Sequence, residues 1–188
     1  MEINLTWDLF IIVFFLIILA YSFIIGKSHT VKLVLSSYIS LLAADAIGNM
    51  LNKLLLNANP VIDIFSVPAD SPSFVILKIA IFVLFMVILA VRGSFDITMP
   101  REEQAIEFLT TFFFGALSAG MIISAILVFS SGSSFIMGGV PIDESNIAEM
   151  YSQSYLVKLM VLNYNVWFAL PVVAFIVMSL VRHTEGIE

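Results

Sequence analysis

The chain has no cysteine and, in 188 residues, only two histidines, His29 and His183. Without cysteine there can be no disulfide, thiolate metal site or cysteine nucleophile, and two histidines so far apart offer little to a metal ion. Charge is also scarce. Only 12% of residues are Asp, Glu, Lys or Arg, and the net charge of -6 is spread over connecting stretches, a pattern that fits neither a nucleic-acid surface nor a polybasic lipid-binding tail. No G-x-S-x-G elbow, H-E-x-x-H zinc motif, Walker A loop or Rossmann glycine pattern occurs. Catalysis therefore has no recognisable residues to rest on, and neither an enzyme nor a cofactor is expected.

What the chain has in abundance is apolar surface: 61% of residues are hydrophobic and 17 are phenylalanine. A soluble domain of this size has no use for so much, so the composition implies a single integral membrane domain over residues 1–188, with the lipid bilayer as its first partner. A spanning helix needs about 20 mostly apolar residues, because each adds about 1.5 Å and the hydrocarbon core is about 30 Å thick. Residues 8–26, 73–92, 106–129 and 155–181 meet that requirement. A fifth segment, 31–56, is more polar. The stretch from Leu9 through Gly26 carries no charge and lacks a basic lead-in, so it reads as a retained helix rather than a cleaved signal.

The expected architecture is thus an all-α, polytopic bundle of five transmembrane helices. With five crossings, Lys27, Lys32, Arg92, Arg101 and Arg182 fall on one side. The positive-inside rule then places the N-terminus outside and the C-terminus in the cytoplasm. Among the connections, SSGSSFIMGGVP (residues 130–141) reads as flexible. Asn146 followed by Glu149 resembles a capping box that would start a short amphipathic helix. Glu102 and Glu103 suit the first turn of the helix that follows Pro100.

Asp45 is the anomaly in this pattern. An aspartate at a helix centre opposes insertion by roughly 2.5 to 3.5 kcal/mol, whereas each Leu, Ile, Val or Phe favours it by only about 0.3 to 0.6. The nine such residues from Val31 to Leu51 together contribute roughly 4 kcal/mol, so Asp45 cancels most of their effect. Its face must therefore meet protein or water. Ser37, Ser40, Leu41, Ala44, Asp45, Gly48, Asn49 and Asn52 recur at steps of three and four, which gathers small and polar residues on one helical face. Gly115, Ser118 and Ala119, or alternatively Ala116, Gly120 and Ser124, offer a matching surface for close helix packing.

Helix packing is one reading of this stripe, and a proton or cation site at Asp45 is another. Lys53, Lys78 and Lys158 lie near the outer ends of spans, where lysine ordinarily snorkels to water. Lys53 is too far along its own helix to reach Asp45, so an ion-pair partner would be Lys78 or Lys158. Asn163 and Asn165 in the last span, next to Pro171, could join such a site or bind helices together. Pro171 should also kink its helix and free the carbonyl of Trp167.

Two stretches, WDLFIIVFFLIILAYSFIIGKSHTVKLVL with Asp8 at its start and Gly26 closing the first helix, and IEFLTTFFFGALSAGMIISAIL around Gly115, resemble the bacterial colicin V production protein family. Ser22 stands where family members often carry an earlier glycine, and Ala119 rather than Gly120 falls four residues after Gly115. The resemblance implies a multi-pass protein of the bacterial inner membrane that affects toxin export or envelope integrity, with no catalytic residues to carry over. The first expectation is accordingly a cell-envelope or secretion accessory subunit that assembles with copies of itself or with other membrane proteins. Its rival is an ion- or solute-transport subunit using Asp45 with Asn163 or Asn165. A substrate-binding component that docks on a separate ATP-driven module is a third.

Overall fold

The computed structural model describes residues 6–57, 72–93, 104–136 and 147–185. These form helices α1 (Trp7–Asn57), α2 (Pro72–Arg92), α3 (Gln104–Ser130), α4 (Ala148–Gln153), α5 (Tyr155–Leu162) and α6 (Tyr164–Glu185), with no strand among the described residues. Three helices are long and apolar enough to cross a membrane, or four if the bent pair α5 and α6 counts as one span.

The first of the three is not one straight rod. Gly26 inside α1 has φ 78° and ψ 172°, a backbone conformation essentially reserved for glycine because any Cβ would clash. Thr30 marks how sharply the chain turns there: its hydroxyl is shared between the carbonyls of Ser22 at 3.1 Å and Gly26 at 2.9 Å. In a straight helix, residues 22 and 30 would sit about 12 Å apart along the axis. The break thus folds α1 into a hairpin with limbs 7–25 and 27–57, and Thr30 supplies a donor to carbonyls whose helical ladder Gly26 interrupts. The sequence suggests a connecting loop over 27–30, but Gly26 alone makes the turn, and Lys27, expected in that loop, is buried.

Helix α3 is the hub, and the packing around it shows the limbs running in opposite directions. Ile11 of the first limb clusters with Ile123 and Leu127, while Leu41 and Ala44 of the second cluster with Ile122, Ala125 and Phe129. Residues about 30 apart in sequence therefore lie level with the same two turns of α3. At the Gly26 end, Val31 and Val34 cluster with Phe114 and Met121. A Cβ on Gly115 would lie 2.9 Å from Ser22 Cβ and 3.0 Å from Leu19 Cδ1, so the glycine lets the first limb approach closely. This glycine thus serves the first limb and not the polar stripe of the second.

Helix α6 packs on α3 as well, and shares a cluster with Val31 and Val34 of the second limb. A Cβ on Gly120 would come within 2.1 Å of the Trp167 ring, and Phe114 stacks on Phe175 with ring centres 5.3 Å apart. Ala119 is fully buried. Helices α5 and α6 meet at Asn163 with a bend of 58°. This 58° bend lies eight residues before Pro171, where a kink was expected; Pro171 itself is buried inside α6. Asn163 holds the bend by closing α5 and opening α6. Its amide nitrogen donates to the carbonyl of Leu159 at 2.9 Å, and its own carbonyl accepts from the backbone of Val166 at 2.9 Å.

Helix α4 does form and sets the buried Ile147 beside it into the cluster around Ile11, with Met150 and Tyr151 packed alongside. Ile147 occupies the cap position of α4 and makes no side-chain cap bond. Asn146, the first half of the expected capping box, lies outside the described residues, as do Arg101, Glu102 and Glu103.

Candidate functional site, a buried aspartate cluster

The second limb of α1 carries Asp45 to the end of the bundle where α2 begins and α3 stops. Asp45 is completely buried, as the insertion arithmetic requires. Its Oδ1 accepts from Lys78 Nζ at 3.1 Å. Its Oδ2 accepts from the Ser134 hydroxyl at 2.8 Å and from the backbone N–H of Ile136 at 2.8 Å. Asn49, one turn further along, uses both ends of its amide: Oδ1 accepts from Lys78 at 3.1 Å and Nδ2 donates to Ser134 at 2.9 Å.

Lys78, expected to snorkel to water, is instead buried with only 4% of its surface exposed. Gly48 explains how so long a side chain lies flat against α1. A Cβ there would fall 2.6 Å from Lys78 Cε and 2.8 Å from Cγ, so the missing side chain forms the groove for the lysine stem. The ammonium group also lies 5.5 Å from the Phe74 ring centre and 5.9 Å from that of Phe129, both within cation–π range. Glycine and asparagine in the stripe therefore serve α2, whereas Leu41 and Ala44 serve α3.

Ser134 and Ile136 are the members that sequence reading missed. Residues 131–136 belong to the stretch expected to be flexible, yet Ser131 and Ser133 are buried and joined by a 2.7 Å hydrogen bond. Phe135 packs on Phe129, Tyr164 and Phe168. Serine and glycine composition suggests mobility, but the Asp45 carboxylate takes its donors from outside its own helix, and two of them, the Ser134 hydroxyl and the Ile136 N–H, hold this segment in place. Residues 137–141 of that stretch lie outside the described ones.

The other sequence candidates lie elsewhere. Lys158 is exposed with its ammonium 5.7 Å from the Tyr151 ring centre, and Asn163 and Asn165 are exposed on α5 and α6. None of the three is among the partners of Asp45. Tyr38 of the second limb donates to the carbonyl of Phe168, one residue beyond the carbonyl that Pro171 frees.

A second carboxylate contact joins the start of α1 to the start of α5. Asp8 Oδ1 accepts from the Ser154 hydroxyl at 2.5 Å and from the backbone N–H of Leu156 at 2.9 Å, so a side chain from α1 helps to cap α5. Ser154 itself accepts from Val157 N at 3.1 Å. Among the described residues no three His, Asp or Glu side chains gather as a metal site, and the buried hydroxyls of Ser36 and Ser40 and the amide oxygen of Asn52 have no partner. Comparison with known proteins yields no matching family model, no matching curated protein and no matching solved structure.

Proposed function

We propose that the chain is a membrane-embedded scaffold or accessory subunit of the bacterial cell envelope, and that the Asp45 cluster fixes its fold rather than carrying a solute. The observation behind this reading is the occupancy of the carboxylate: both Asp45 oxygens are taken by donors from α2 and the 131–136 segment. A carboxylate that carried a proton or cation would have to give up its ion pair with Lys78 at each cycle, whereas this arrangement ties three parts of the chain together. The resemblance to colicin V production proteins supports an envelope or secretion role.

In this proposal five crossings traverse the inner membrane: the two limbs of α1, then α2, α3 and the bent α5–α6 pair. The Gly26 turn, the connection from α2 to α3 and the end of α6 then share one side with Lys27, Lys32, Arg92, Arg101 and Arg182. The excess of basic residues makes that side cytoplasmic and leaves the start of α1 outside.

Reconstitution into proteoliposomes tests the role of the cluster. The scaffold reading expects proton and sodium flux no greater than in lipid alone, for the wild type and for Asp45→Asn alike. Flux that varies with pH and disappears in a folded Asp45→Asn variant would replace it with the transport reading.

A further inference from the structure

The outward face of α6 carries an amide, Asn165, that does not suit lipid. Asn165 is exposed, and its side-chain amide has no hydrogen-bond partner among the described residues. It sits well inside the apolar band. Trp7 and Tyr155, both exposed, mark one membrane boundary, and Asp8 joins the starts of α1 and α5 at that level. The bend at Asn163 shortens the path inward along α5, but Trp167, two residues after Asn165, packs its ring over Gly120 near the middle of α3 (Gln104–Ser130), which sets Asn165 roughly 10 to 15 Å below that boundary in a hydrocarbon core about 30 Å thick. Exposed Leu162 precedes it, and exposed Val172, Val173 and Ile176 follow.

An amide in hydrocarbon leaves two donors and an acceptor unsatisfied, a penalty that an interhelical hydrogen bond removes. Ala169 lies one turn below on the same face and is also exposed, so a second helix can approach closely there. Val172, Val173 and Ile176 continue the face with stiff, β-branched side chains that lose little freedom on packing. An asparagine is both donor and acceptor, so its natural complement across a two-fold axis is another asparagine.

We infer that α6 is a dimer interface, in which Asn165 and Ala169 of one copy meet the same residues of a second copy of this chain in the same membrane orientation. The inference rests on the membrane reading of the chain and assigns its scaffold role a first partner.

The lack of any native cysteine makes a direct test simple, since one introduced thiol is the only one present. In liposomes, oxidation of Ala169→Cys should give a covalent dimer, while Leu84→Cys on the exposed face of α2 should give none. Energy transfer between labelled copies, followed as lipid dilutes the protein, should show Asn165→Val dimerising about three- to thirty-fold more weakly, with Asn165→Gln close to wild type. Helix content and thermal unfolding of Asn165→Val confirm that the monomer is folded. Monomers at every dilution, equal cross-linking at positions 169 and 84, or association indifferent to Asn165→Val would overturn the dimer. A monomer that co-purifies in fixed ratio with another membrane protein overturns it too, yet leaves the scaffold reading standing. Failure of the protein to float with liposomes removes both.

Discussion

Asp45 and Asp8 hold the chain in the same manner at two places. Each offers one carboxylate oxygen to a serine hydroxyl and to the backbone N–H two residues further on: Ser134 and Ile136 for Asp45, Ser154 and Leu156 for Asp8. In both cases a helix reaches across to pin the segment that leaves or enters another helix. The surroundings differ. Asp45 is fully buried and neutralised by Lys78, while Asp8 remains partly exposed and has the N-terminus of α5 rather than a cation as its counterpart. The same bonding pattern thus serves as a locked joint in one place and as a surface clasp in the other, and what separates them is how much water can replace the partner when it is lost.

The largest predicted effect comes from breaking the locked joint. Asp45→Ala leaves Lys78 buried without its counter-charge and removes the carboxylate that Ser134 and Ile136 donate to, and should destabilise the protein by about 3 to 5 kcal/mol. Replacing both partners, Asp45→Leu with Lys78→Met, should recover much of that loss, because no charge is then stranded in the interior. Denaturant unfolding in detergent, followed by circular dichroism, measures the cycle. If the double variant is as unstable as Asp45→Ala, the cost lies with the loss of the 131–136 contacts rather than with the lysine.

The need for that joint was visible in the amino-acid sequence, but its full membership was not. A single acid in a segment with barely enough apolar residues to insert must find shelter, and the three- and four-residue spacing placed Gly48 and Asn49 beside it. Lys78 was one of two lysines able to reach it. The choice between them depends on Gly48 leaving space for the lysine stem, a contact between helices that no local pattern encodes. Ser134 and Ile136 were hidden for a different reason. A serine and glycine run signals freedom in isolation, and only a carboxylate supplied by another helix gives it a fixed shape.

The bends show the same limit. Gly26 was expected to end the first helix, and it does, but nothing local indicated that Thr30 would close the turn without a loop. Proline suggested a kink at Pro171, yet the chain's sharp bend lies at Asn163, whose side-chain amide and backbone N–H both donate to the carbonyl of Leu159. Local propensity marks where a helix can yield, and packing against α3 decides where it does.

The surface clasp should yield a smaller effect. Ser154 caps α5 through Val157 N and also donates to Asp8, so Ser154→Ala removes both contacts at once. A helix cap of this kind is typically worth about 1 kcal/mol, well below the Asp45 value. Hydrogen exchange offers the sharper measurement, because amides in the first turn of α5 should exchange faster while those around Asp45 stay unchanged. Equal acceleration at both places would mean that the clasp and the joint open together, and the contrast between them would fail.

The smallest effect is expected at the other lysine. Lys158 and Lys78 both sit in the first two turns of apolar helices, but Lys158 is exposed and its ammonium lies over the ring of Tyr151. An exposed contact of that type contributes about 0.5 to 1 kcal/mol, and water can replace it. Lys158→Ala should therefore shift the unfolding midpoint only slightly, whereas Lys78→Ala strands Asp45 and should approach the loss seen for Asp45→Ala. Measured side by side under one set of conditions, the pair contrasts a buried lysine bound to a carboxylate with an exposed one that lies over a ring. A large loss from Lys158→Ala would place a second charge-dependent joint at the start of α5.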